Sequence, residues 1–167
     1  MNLKPKNSGL FGGAIILAFI VLSLDQLHKY FMLEIMNIDE IRIFEVLSFF
    51  NLVMVWNHGV SFGMFAGHGM SQPMILIVIT SLIVCVLFFW LLKEQQRIPA
   101  NALALVIGGA IGNIIDRIRF GAVADFFDFH YMGWHYPAFN IADAAIFIGV
   151  VILMIHSIFL TKPTTKP

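Results

Sequence analysis

The chain has 167 residues, of which 59% are hydrophobic and only 12% charged, with a mean hydropathy of +0.87. A water-soluble domain carries about twice that share of charge, so the composition describes an integral membrane protein. Ten Lys and Arg against ten Asp and Glu, with no basic block, give no support to nucleic-acid binding.

The first apolar stretch, residues 10–24, is uncharged and extends through Asp25 and Lys29 to about residue 33. No small-x-small cleavage site follows it, which predicts a retained span rather than a removed leader. Residues 34–72 form the longest polar-flanked stretch, and within it residues 42–56 (RIFEVLSFFNLVMVW) are aromatic and β-branched, as short strands require. Asn57-His58-Gly59 reads as a turn, and Gly63, Gly67 and Gly69 leave the stretch after it loose. Residues 74–92 are uncharged throughout and long enough, at about 1.5 Å per residue, to cross a hydrocarbon core of about 30 Å. A Gly-rich span at 100–117, a short outer segment at 118–139 containing turns, and a last span at 140–160 complete the chain. The expected architecture is an all-α membrane protein of one integral domain, 1–167. It has spans at about 10–33, 73–92, 100–117 and 140–160, and a small β-rich outer-face subdomain between helices 1 and 2.

Four spans put both termini and the 93–99 loop on one side, together with Lys4, Lys6, Lys93, Arg97, Lys162 and Lys166 and the single acid Glu94. The other nine acids fall on the opposite side, so the positive-inside rule predicts cytoplasmic termini and an acidic outer face. Ionisable groups at membrane depth are costly and mark function, which directs attention to this acidic side.

Several clusters there carry chemistry. Asp25 and Lys29 are four apart on one helix face and form a helix-end ion pair, with the lysine snorkelling to the interface. In the third span Gly109, Asn113 and Arg117 lie along one stripe, and Gly112 and Asp116 along the next. Small residues admit a neighbouring helix, while Asn113, Asp116 and Arg117 together at one helix end suit the orientation of a substrate backbone. Asn140 reads as the N-cap of the last helix and Asp143 as its third residue, a capping arrangement that favours a carboxylate. Asp125, between apolar neighbours in a loop, is expected to be desolvated and its pKa raised. If the fold brings Asp125 and Asp143 together they share a proton and activate water.

Other chemistries find less. His130 and His135, with Asp128 nearby, lack a metal-binding motif, and no HExxH is present. Ser61 lies near His58 without a G-x-S-x-G elbow. Cys85, alone in the chain, sits mid-span and is expected to be a buried, unreactive thiol. Glu34, Asp39, Glu40, Glu45 and Asp128 read as solvated or interfacial acids.

Five segments also match a known family in order. Asp25-Gln26-Leu27-His28-Lys29 resembles its D-Q-x-x-K box, and Asn57-His58-Gly59-Val60-Ser61-Phe62 its N-x-G-x-[AS]-F box. Gly112-Asn113-Ile114-Ile115-Asp116-Arg117 is similar to G-N-x-x-D-R, Val123-Ala124-Asp125-Phe126 to V-x-D-F, and Phe139-Asn140-Ile141-Ala142-Asp143 to F-N-x-A-D. The chain thus resembles the lipoprotein signal peptidases (signal peptidase II), aspartyl peptidases of the bacterial inner membrane. The resemblance implies a catalytic pair, Asp125 and Asp143, with no metal and no cofactor. It implies cleavage of a diacylglyceryl-modified prolipoprotein just before the lipid-bearing cysteine, by a monomer among membrane lipids, and inhibition by globomycin-type cyclic peptides. Asn57, Gly59, Asn113, Arg117 and Asn140 would hold substrate and dyad, and Asp25, Lys29 and Asp116 would be scaffold. The site would face the periplasm, under an outer segment able to move as a lid. A small transporter or a scaffold using interfacial carboxylates is the alternative, weakened by the absence of charge at the membrane midplane.

Overall fold

The computed structural model describes residues 5–59 and 71–160. The expected lid, with Ser61, Gly63, Gly67, His68 and Gly69, lies outside the described residues.

Helix α1 (Ser8–Tyr30) starts at Asn7, whose side chain accepts from the Leu10 N–H at 3.1 Å, and runs on through a π-helical turn, Phe31–Ile35. A single helical turn α2 (Ile38–Ile41) leads into strands β1 (Ile43–Leu47) and β2 (Phe50–Asn57). Helices α3 (Ser71–Lys93) and α4 (Arg97–Phe120) follow, then strands β3 (Val123–Tyr131) and β4 (Trp134–His135). Helix α5 (Ile141–Ile155) closes the described chain with a second π-helical extension, His156–Leu160. Four of these helical segments are long and apolar enough to cross a membrane: Ser8–Ile35, Pro73–Lys93, Arg97–Phe120 and Ile141–Phe159.

Side-chain size decides which helix occupies the centre. Helix α4 is rich in Ala and Gly, and 67% of its apolar window is buried, against 6% for α3 with its large apolar residues all round. Small residues let backbones meet closely where lipid supplies no hydrophobic drive between helices. A Cβ at Gly108 would stand 2.5 Å from the carbonyl oxygen of Ala18 in α1, and one at Gly109 would collide with the carbonyl of Ala142 in α5. Helix α3 packs chiefly on α4, with Phe88 meeting Phe11 of α1 edge-on at 5.8 Å, and turns most of its surface outward, toward lipid. Cys85, expected to be buried, is on this outward face: periodicity cannot reveal the inner side of a helix that is apolar all round.

Beyond the helix ends lies one antiparallel sheet in the order β1-β2-β3-β4. The outer segment between the first two spans supplies β1 and β2, as expected, and the second outer segment, read from sequence as turns, supplies β3 and β4. Asp125 is therefore on a strand rather than in a loop. Its neighbours Val123, Ala124 and Phe126 are all buried, so no alternation of polar and apolar residues announces the strand. The sheet rests on the end of α1, where Ala124 and Phe126 pack with Met32 and Ile38.

Candidate active site

Two features at the end of β2 bring Asn57 onto Asp125. Leu52 pairs with Phe127 and Val55 with Asp125, so β2 carries one more residue than β3 between these positions. Such a bulge re-aims the side chains beyond it, and Asn57, beyond it, donates from Nδ2 to Asp125 Oδ2 at 3.0 Å. Gly59 then turns the chain with φ of +85°, a left-handed conformation that favours glycine. Its N–H donates to Asn57 Oδ1 at 2.8 Å, which fixes the amide so that its NH2 faces Asp125.

Asn140 makes the second connection. It caps α5 in a complete capping box: its Oδ1 accepts from the Asp143 N–H at 2.9 Å, and Asp143 Oδ2 accepts from the Asn140 N–H at 3.4 Å. With Oδ1 committed to the helix, the Asn140 NH2 points at Asp125 Oδ1, 2.7 Å away, and also reaches Asn113 Oδ1 and the Ala124 carbonyl, each at 3.2 Å. Asn113 in turn donates to Asp143 Oδ1 at 2.7 Å. One asparagine thus joins both acids, and a second supports Asp143.

Asp125 is 1% exposed. Burial, followed by the nearby charge of Asp143, pushes its pKa from 3.8 up to about 7, against the opposing hydrogen bonds from Asn57 and Asn140 and the charge of Lys29. Arg117, at the same end of α4, is close enough to Asp143, Asp116 and Asp125 to feel their charges. Its Nη1 donates to the Asn113 carbonyl at 3.4 Å, while its buried Nε has no partner among the described residues.

Beneath the two acids lies a buried ionic knot. Lys29 Nζ is 2.8 Å from Asp25 Oδ2, 2.6 Å from Asp116 Oδ2 and 3.5 Å from Asn113 Oδ1, so its three protons have three acceptors. Lys29 is only 2% exposed and does not snorkel, contrary to the sequence reading, because Asp116 from α4 supplies a second counter-charge that a one-helix view lacks. Asp25 Oδ1 accepts from the Ala142 N–H in the first turn of α5 at 3.0 Å, and Asp116 Oδ2 from the Ala124 N–H of β3 at 3.3 Å. The knot so binds α1, α4, α5 and the sheet together. Gln26, noticed in the sequence only as part of a motif, belongs here too: its Nε2 donates to Asp25 and Asp116, each at 3.1 Å. Its position next to Asp25 was the available signal. Gly112 leaves room for the knot, since a Cβ there would stand 2.6 Å from Asp25 Oδ2.

Asp128, expected to be solvated, is buried instead. It faces Asn51 across the β2–β3 pair, accepting from Nδ2 at 3.2 Å, and both its oxygens are 2.9 Å from His135 Nδ1. This pair belongs to the sheet rather than to the Asp125 cluster. His130 stacks on His135 with ring centroids 5.1 Å apart, and no group of three or more His, Cys, Asp or Glu suited to a metal ion converges among the described residues.

Four membrane-length helices, holding buried carboxylates, amides and a lysine at one end of the bundle, define a multi-pass membrane protein with a buried polar cluster. The family described as Signal peptidase (SPase) II matches residues 17–159, and the chain belongs to it: it is a peptidase of the bacterial membrane. It is similar to the lipoprotein signal peptidase of Paraburkholderia phytofirmans, 40% identical over 162 residues covering 92% of this chain and 91% of the relative. The lipoprotein signal peptidase of Rhizorhabdus wittichii is 42% identical over 147 residues, 87% and 86% of the two chains. A solved bacterial membrane enzyme at 1.9 Å resolution superposes with a TM-score of 0.77 and 33% identity, over 90% of this chain and 95% of that one.

Proposed function

We propose that this peptidase removes signal peptides from diacylglyceryl-modified prolipoproteins, hydrolysing the bond just before the lipid-bearing cysteine with Asp125 and Asp143 as paired acid and base. The observation that carries this reading is the Asn140 bridge, which holds one carboxyl through its side-chain NH2 and the other through its capping box. With Asp125 near neutrality in its proton affinity, the pair holds one proton at working pH.

The steps follow from that protonation. Asp143, in the first turn of α5, takes a proton from a water as its oxygen attacks the scissile carbonyl carbon. Asp125 gives its proton to the carbonyl oxygen, forming a neutral gem-diol. Asp125, now ionised, takes back a hydroxyl proton as the carbon–nitrogen bond breaks, and Asp143 passes its proton to the leaving nitrogen. The products are a carboxylic acid on the signal peptide and a free amine on the lipid-modified cysteine, and the pair has regained its starting protonation as the bond breaks.

Asn57, Gly59, Asn113, Arg117 and Asn140 hold the substrate backbone and the dyad, while Asp25, Lys29 and Asp116 fix the helices that carry them. The chain acts as one integrated membrane unit and a monomer, with cytoplasmic termini and the site at the periplasmic face of the inner membrane. A globomycin-type cyclic peptide competes for the same site. Processing of a diacylglyceryl-modified prolipoprotein by purified Asp125→Asn and Asp143→Asn proteins tests the dyad. Each single change is expected to lower turnover by at least ~1,000-fold while the protein stays folded; full processing by either sinks the assignment.

A further inference from the structure

The two carboxyls open onto different clefts. Asp125 lies in a cleft of about 440 Å3 with Trp56, Asn57, His58 and Gly59, where amide and backbone groups suit an extended peptide. Asp143 lies instead at the head of a groove of about 650 Å3 whose other lining is wholly apolar or aromatic. One wall is α5 itself. Asp143 and Phe147 share a stripe at i, i+4, Ala144 and Ile148 the next, so the furrow descends along α5 from the carboxylate toward the bilayer interior. The other wall is aromatic: Trp134, Tyr136 and Phe139. Tyr136 meets Trp134 and Phe139 edge-on, at centroid distances of 6.3 and 6.0 Å. This wall is braced rather than loose, and the small side chain of Ala144 leaves the floor between the walls deep.

The geometry points to this groove as the seat of one acyl chain of the substrate's diacylglyceryl group. The inference rests on the proposed prolipoprotein activity and adds a direction to it. The lipid hangs on the residue whose nitrogen is the leaving group, so it must exit the site within a few bonds of that nitrogen. A groove that begins at Asp143 and runs along α5 meets that need, whereas the cleft beside Asp125, lined from β2 and the 137–138 segment, runs along no membrane-spanning helix. The scissile bond therefore lies with its signal-peptide side over Asp125 and its lipid-bearing side over Asp143. This puts Asp143 beside the nitrogen to which the mechanism has it deliver a proton.

A diacylglyceryl-modified prolipoprotein with a diazirine in one acyl chain, bound to the Asp125→Asn protein in nanodiscs and irradiated, reports where that chain lies. Labelling is expected on residues 139–148 and on the β3–β4 hairpin. In the active protein, Ala144→Phe and Ile148→Trp are expected to raise KM for the lipid-modified substrate ~10-fold with kcat changed less than ~3-fold, since they obstruct binding and not the dyad. The more distant Ile148→Trp keeps the test valid if Ala144→Phe misfolds. Labelling concentrated on α3, or an unchanged KM in a folded Ile148→Trp protein, overturns the groove assignment and leaves the peptidase reading standing. Failure of the unaltered protein to process the substrate at all overturns both.

Discussion

Asp125 is held between opposing influences. The Gly59 and Asp143 N–H groups orient two amides whose NH2 groups both face it, which favours the carboxylate, while burial and Asp143 favour the acid. The result, a pKa of about 7, has two consequences with the same sign. Because the proposed mechanism needs a proton on Asp125, kcat/KM for the prolipoprotein is expected to fall as pH rises above about 7. Stability follows: the folded-state pKa is raised, so the contribution is complete below the unfolded value of 3.8 and is lost as pH climbs to about 7. Across that window the thermal midpoint in detergent should decline with pH, at up to about 1.4 kcal/mol per unit, and Asp125→Asn should flatten the decline. An unchanged slope in that variant would show that another group controls it. The desolvation of Asp125 was legible from its apolar neighbours. The burial of Asp128 was not, because its partners Asn51 and His135 come from other strands and nothing in the local sequence names them.

Among the elements, α5 carries the most consequence for chemistry, because its first turn holds Asn140 and Asp143 while α4 fixes where that turn sits. Two glycines separate stability from placement. A Cβ at Gly109 would drive into the Ala142 carbonyl, beside Asp143, whereas one at Gly149 would stand 2.6 Å from the Ala102 carbonyl, far along the helix pair. Overpacking of this kind costs about 1–3 kcal/mol at either position. Gly109→Ala is therefore expected to reduce turnover at least ~10-fold beyond Gly149→Ala at matched loss of thermal stability; equal activities would mean that the α4–α5 contact does not position the dyad. Sequence periodicity exposed the close-packing stripe on α4, since small residues there are spaced to meet neighbours. It missed β3, whose two faces are both covered near Asp125, leaving no two-residue rhythm to read.

For the whole molecule, the apolar lengths sufficed to read four spans, because a bilayer sets them, and the uneven acids and bases supply the proposed orientation. Which helix is central and which faces lipid depends on packing, and only the Gly and Ala content of α4 hinted at it. The orientation can be checked with the outward-facing Cys85 replaced by Ser. In that background a cysteine at Met132, 88% exposed at the tip of the β3–β4 hairpin, is expected to react with a membrane-impermeant maleimide in intact spheroplasts. One at the exposed Arg97 should react only after permeabilisation, and the reverse pattern would invert the proposed topology.

The buried knot of Lys29, Asp25 and Asp116 also bears on biosynthesis. Helix α1 leaves the ribosome before α4 and α5, carrying an acid and a base one turn apart that neutralise each other. Asp116 follows on α4 with an extra negative charge, which Lys29 and Gln26 of α1 receive, and the α5 N–H that satisfies Asp25 comes after it. Newly made chains thus complete the charges and hydrogen bonds of this knot only when α5 docks, so the buried cluster around it forms after α4 and α5 are both in place.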